Sequence, residues 1–111
     1  MRVVFILTKS PQNSGNTKIC LKNALLARSQ GYDIGIYLLG DAVFFAKNQQ
    51  NIANDLKKLL ASGCKLFVRK EDLVARGLKE DSLIPDVSVP SDFYDLLITD
   101  IMEKSERVIC L

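Results

Sequence analysis

The sequence predicts a single three-layer α/β/α domain with about five mainly parallel strands. Three observations predict it. Short β-branched and aromatic runs alternate with longer stretches whose apolar residues recur at helical spacing. The strand candidates are apolar throughout, as in a parallel sheet covered on both faces. The chain has 111 residues, enough for one hydrophobic core. No internal repeat, linker or low-complexity tract interrupts it, so residues 1–111 are read as one domain.

The elements follow in order. "VVFILT", residues 3–8, is the first strand, and the turn-rich "KSPQNSGN" follows it. A helix starts near Asn16 or Thr17, with Ile19, Leu21, Ala24, Leu25 and Leu26 as its apolar face. Gly31 stands where a C-cap glycine is favoured. The second strand is "YDIGIYLLG", 32–40, followed by Asp41 and the apolar patch "AVFFA", 42–46. Polar "KNQQN" leads into a helix with Ile52, Leu56, Leu59 and Leu60 on one face, closed by Gly63. The third strand is 64–69, and a short helix, 71–76, stops at Gly77. "VSV", 87–89, is a candidate short fourth strand. Ser91 is then read as an N-cap with Asp92 in the first turn, ahead of a helix facing the core with Phe93, Leu96, Leu97 and Ile101. "RVICL" is the last strand.

Composition narrows the function classes. Fifteen basic and thirteen acidic residues leave a net charge of +2, and the basic residues are scattered. That gives no argument for nucleic acid or an anionic membrane as a partner. No stretch has the length of a transmembrane helix, and "VVFIL" is too short for a secretory signal, so the expected location is cytoplasmic. There are no histidines, and the three cysteines form no CxxC pair, so neither a metal site nor a cofactor is expected. Cys64 and Cys110 lie inside apolar strand runs and are read as inert, buried thiols; Cys20, on a helix, is left out of that reading.

In a parallel sheet, sites form at the carboxyl ends of the strands. Three loops reach that edge. The loop after strand one offers Lys9, Ser10 and Asn16 ahead of a helix start, either as an anion cradle or as a plain turn and cap. The loop after strand two carries Asp41 with Val43, Phe44 and Phe45, an apolar cluster that must be covered by its own domain or by a subunit contact; the contact is the expectation. The junction after strand three holds Arg69 and Lys70. Arg69 either binds an anion through its planar fork or pairs with Glu71 or Asp72.

Over nearly its full length the chain resembles the DsrE/DsrF-like family of small sulfur-relay proteins. "GYDIGIYLLGDAVFFAKNQQ" resembles the family's second strand and G-D-x-V loop, "LLASGCKLFVRKEDLVARGL" its third strand and R-G junction, and "SERVICL" its terminal strand. The resemblance implies a sulfur-carrying cysteine at the end of strand three, eight residues before the glycine of the R-G pair. Arg76 and Gly77 match that pair, and the cysteine's position is held by Arg69. Cys64 lies five residues upstream of it. A guanidinium can neither attack a persulfide nor pass sulfur on. No catalytic residue is therefore assigned. A non-catalytic or regulatory subunit is expected, self-associating as a trimer, hexamer or dimer, or joining related family subunits. The alternatives are a small-anion or cofactor-binding module and, behind it, an active sulfurtransferase.

Overall fold

The computed structural model describes residues 2–9, 15–47 and 53–110. Four strands form one all-parallel sheet: β1 (Arg2–Leu7), β2 (Asp33–Leu38), β3 (Lys65–Val68) and β4 (Arg107–Cys110), in the order β3-β2-β1-β4. The helices are α1 (Gly15–Ser29), α2 (Ala53–Ala61), α3 (Lys70–Ala75) and α4 (Phe93–Thr99). A 3-10 segment, Gly40–Ala46, follows β2, and a π-helical turn, Asp100–Lys104, extends α4.

The layers follow from the pleat. Val3, Phe5 and Leu7 of β1, Ile34, Ile36 and Leu38 of β2, and Leu66 and Val68 of β3 face one side. There they meet Leu21 and Ala24 of α1, Leu56 and Leu59 of α2, and Leu73 of α3 in the main core. Val4 and Tyr37 point the other way, onto Phe93 and Leu97 of α4, with Ile6, Phe67 and Val108 half-buried around them. Among the described residues, α4 and its π turn are the only helical cover on that second face. The order β3-β2-β1 builds outward in one direction; the chain then crosses behind the sheet through α4 to place β4 on the far side of β1.

The candidate fourth strand, 87–89, is reduced to a bridge. Ser88 donates to Leu66 O and accepts from Val68 N–H, both at 2.9 Å, and the pairing goes no further. Pro85 and Pro90 bracket the segment, and proline has no N–H with which to extend a ladder. Helix starts also differ slightly from expectation. Arg69 is the cap position of α3, and Asp92 rather than Ser91 that of α4. Ile19 and Leu26, expected on the buried face of α1, are exposed. Ile52 lies outside the described residues.

Candidate functional site

The carboxyl edge of the sheet brings two of the three expected loops together. β3 ends at Val68, and Arg69 turns directly into α3. The Arg69 guanidinium reaches Asp72 at 3.3 Å and Glu71 at 3.7 Å. Its other contact is the Tyr94 ring, with the guanidinium carbon 4.8 Å from the ring centroid, a cation–π distance. Asp72 is the hub. Its Oδ2 accepts the Gly40 backbone N–H at 2.8 Å, and its Oδ1, which Arg69 reaches, also accepts from Arg76 at 3.4 Å. Arg76 also donates twice to Asp41, at 2.9 and 3.0 Å. The G-D start of the 3-10 segment is thus tied to α3 by a chain of alternating charge.

Glycine is required at position 40. Its φ of +60° lies in the left-handed region, and an added Cβ would sit 3.4 Å from Thr8 O. That conformation aims the Gly40 N–H at Asp72. A carboxylate that accepts a backbone N–H and two guanidinium contacts is satisfied by its own chain.

Of the two readings of Arg69, the geometry displays the pairing with Asp72 and Glu71. Asp72 accepts from one arm of its fork, and the exposed Glu71 carboxylate lies near Nε. The adjoining cavity, bounded by Arg69, Glu71 and the Ser91–Asp95 turn, measures about 160 Å³, below the roughly 300–1,000 Å³ of small-molecule sites. Lys70 is exposed at the first position of α3. Lys9 is exposed beyond β1, and since β2 separates β1 from β3, about 10 Å of sheet lies between the two strand ends. Ser10 and the Asn16 side chain lie outside the described residues.

The apolar loop is corrected. Val43 and Phe45 are completely buried, together with Ala42 and Ala46, in the main core of their own domain. The 3-10 winding turns these side chains inward, so they have no area left to offer a second subunit. Phe44 is half-buried and Asp41 exposed.

The match to the DsrE/DsrF-like family runs over residues 1–111. The chain belongs to that family. A curated relative, an uncharacterized protein from Methanocaldococcus jannaschii, is 29% identical over 115 aligned positions, covering 98% of each chain. Solved structures share the DsrE-like fold at lower identity. The ychN protein of E. coli superposes with a TM-score of 0.86 at 22% identity, over 100% of this chain and 99% of that one. MTH1491, a protein of unknown function from Methanobacterium thermoautotrophicum, gives 0.85 at 20%, over 99% and 98%.

The cysteines of this DsrE/DsrF-like chain divide. Cys64 is buried just ahead of β3, and burial pushes its thiol pKa up, against a smaller opposing pull from Ser62, whose Oγ lies 3.7 Å from Sγ. Cys110 is exposed, which corrects the expectation of burial. It ends β4, which is an edge strand among the described residues. The Cys20 side chain lies outside the described residues.

A second polar cluster, not anticipated from the sequence, lies at the opposite edge of the sheet. Asp100 is buried at the start of the π turn. It accepts from Arg2 at 2.6 and 2.7 Å, from Tyr37 Oη at 2.7 Å and from Ser105 Oγ at 2.7 Å. Burial by itself would raise the Asp100 pKa, but these donors outweigh it and hold the carboxyl down at about 2. Tyr37 moves upward, chiefly through burial and then through its bond to Asp100. Arg2 crosses the sheet over Gly35, where an added Cβ would lie 2.6 Å from the guanidinium. The sequence carried one signal of this cluster: an acid at 100 follows Phe93 and Leu97 along the core-facing side of α4. Every bond of Asp100 ends within the chain, so the cluster reads as a structural tie.

Proposed function

We propose that this protein is a non-catalytic or regulatory subunit of a sulfur-relay type oligomer in the cytoplasm, self-associating or joined to related family subunits. The observation that carries the reading is Arg69. It stands at the end of β3, where the family resemblance implies the sulfur-carrying cysteine, and it is ion-paired to Asp72 and laid on Tyr94. Sulfur relay needs a thiolate to attack the donor sulfur, release its leaving thiol and present the new persulfide to an acceptor. Arginine offers no such atom. What remains around it is a rigid edge in which Asp72 holds Gly40, Arg69 and Arg76.

The test is intact-mass analysis after incubation with a small persulfide donor, using the Cys110→Ser variant to remove the one exposed thiol among the described residues. The expected result is no retained sulfur. A stable gain of one sulfur atom on that variant, transferable to a thiol acceptor, overturns the reading.

A further inference from the structure

On the second face of the sheet, α4 packs over Val4 and Tyr37 and leaves the β3 side open. Between helix and sheet lies a groove of about 500 Å³, inside the roughly 300–1,000 Å³ range of small-molecule sites. Its floor is aromatic. Tyr37 and Phe67 stack with ring centroids 4.7 Å apart, and Phe67 is only half-buried where it borders the groove. The floor is also held in place: Asp100 accepts from the Tyr37 hydroxyl and is itself fixed by Arg2. The π-helical turn, a distortion frequent at functional sites, borders one end.

The charges on the rim are sorted by end. α4 runs from the carboxyl edge, where Tyr94 meets Arg69, to the amino edge, where Asp100 meets Arg2. Asp92 and Asp95 line the groove toward its first end. Lys104 and Lys65, the first residue of β3, line it toward the other. All four are exposed, and none takes part in an ion pair among the described residues. Arg2, by contrast, is taken up by Asp33 and Asp100. β3 runs from one end to the other as Lys65–Val68, so the ends lie about 10 Å apart. The groove therefore suits a molecule with an ammonium at one end, a carboxylate at the other and a planar apolar body between them.

We infer that this groove binds a short peptide with both termini free, about three residues long, with an aromatic side chain in the middle. Three extended residues span about 10 Å, the separation of the two charged ends. The amine lies toward Asp92 and Asp95, and the carboxylate toward Lys65 and Lys104. The ring packs on Phe67 in the offset or edge-on arrangement that aromatic pairs favour. The reverse direction sets like charges together at both ends, so the charge order fixes the orientation. A simple anion answers only the lysines, and a neutral aromatic molecule only the floor.

The experiment is an NMR titration of the full chain with Gly-Phe-Gly, following the backbone amides of Lys65, Phe67, Leu96 and Thr99. Saturable shifts are expected, with a dissociation constant of about 1 mM or tighter. Gly-Gly-Gly should bind at least roughly tenfold more weakly, having no ring to bury. Amidating the carboxylate should cost roughly fivefold in wild type and nothing in the Lys65→Gln/Lys104→Gln variant. Acetylating the amine should behave in the same way toward Asp92→Asn/Asp95→Asn. All four side chains are exposed, so both variants should keep the fold, which circular dichroism checks. No saturable shift by about 10 mM peptide overturns the inference. So does equal affinity for the doubly capped peptide, which would make the groove merely apolar. Shifts of the same amides on diluting the protein alone overturn it too, since a second copy would then be the occupant.

Discussion

At the residue scale, the two described cysteines separate by burial alone. Cys64 sits under the main core with a raised thiol pKa, so little of the reactive thiolate forms at neutral pH. Cys110 is open to solvent. Native protein treated with a maleimide should therefore modify Cys110 within minutes and spare Cys64 until the chain unfolds; peptide mapping that finds Cys64 labelled early would contradict the burial argument. The sequence reads both thiols as buried, which holds for Cys64 and not for Cys110. What it lacked was the sheet order and the cover on each face: a strand run gives no sign of either, and among the described residues β4 is an edge strand whose last residue, Cys110, is exposed. Gly35 makes a second residue-scale case. Nothing in "DIGIYL" marks its glycine as special, yet its missing Cβ is where the Arg2 guanidinium passes. Gly35→Ala should destabilise by about 1–3 kcal/mol through overpacking against an arginine pinned by Asp100 and Asp33, measured by urea unfolding.

At the element scale, α3 and the 3-10 segment behave as one clamp. Asp72 joins them through the Gly40 N–H and the two arginines, so removing one carboxylate releases three contacts. The exposed ion pairs contribute little on their own, and the bond to the buried-side N–H dominates. Asp72→Ala is expected to cost about 1.5–3 kcal/mol, with faster amide exchange at Gly40 as its specific readout. Unchanged protection at Gly40 would mean that the carboxylate is dispensable there. Much of this edge is legible in the sequence: Gly40-Asp41 and Arg76-Gly77 stand in the motifs that carry the family resemblance, and Asp72 is a candidate partner for Arg69. The inward turn of Val43 and Phe45 was not legible. An apolar run after a strand has the same sequence whether it winds inward as a 3-10 segment or lies on the surface, and only the packing around it decides. For the same reason "VSV" looked like a strand until its flanking prolines limited it to one bridge.

At the scale of the whole molecule, the Asp100 cluster links parts of the chain that are far apart in sequence. Arg2 opens β1, Tyr37 lies in β2, and Asp100 and Ser105 precede β4; the Glu106 N–H also bonds back to Arg2 O at 3.0 Å. Unfolding must break all of these together, so the pH dependence of global stability should report Asp100. Its pKa is depressed in the folded state to about 2 from an ordinary value of 3.8. A depressed acid binds fewer protons folded than unfolded. Its contribution is therefore complete above about pH 4 and is lost as pH falls through the folded value near 2. A shift of that size corresponds to roughly 2 kcal/mol. Asp100→Asn removes the titration but leaves the half-buried Arg2 facing a neutral group, so neutral-pH stability should fall by about 3 kcal/mol. Between pH 4 and pH 2, the variant should lose about 2 kcal/mol less than wild type does over the same interval. Urea titrations of both proteins at pH 7, 4 and 2 supply the comparison. If the two curves decline in parallel from pH 4 downward, acid sensitivity belongs to other carboxylates, and the buried cluster is not what joins the first strand to the last.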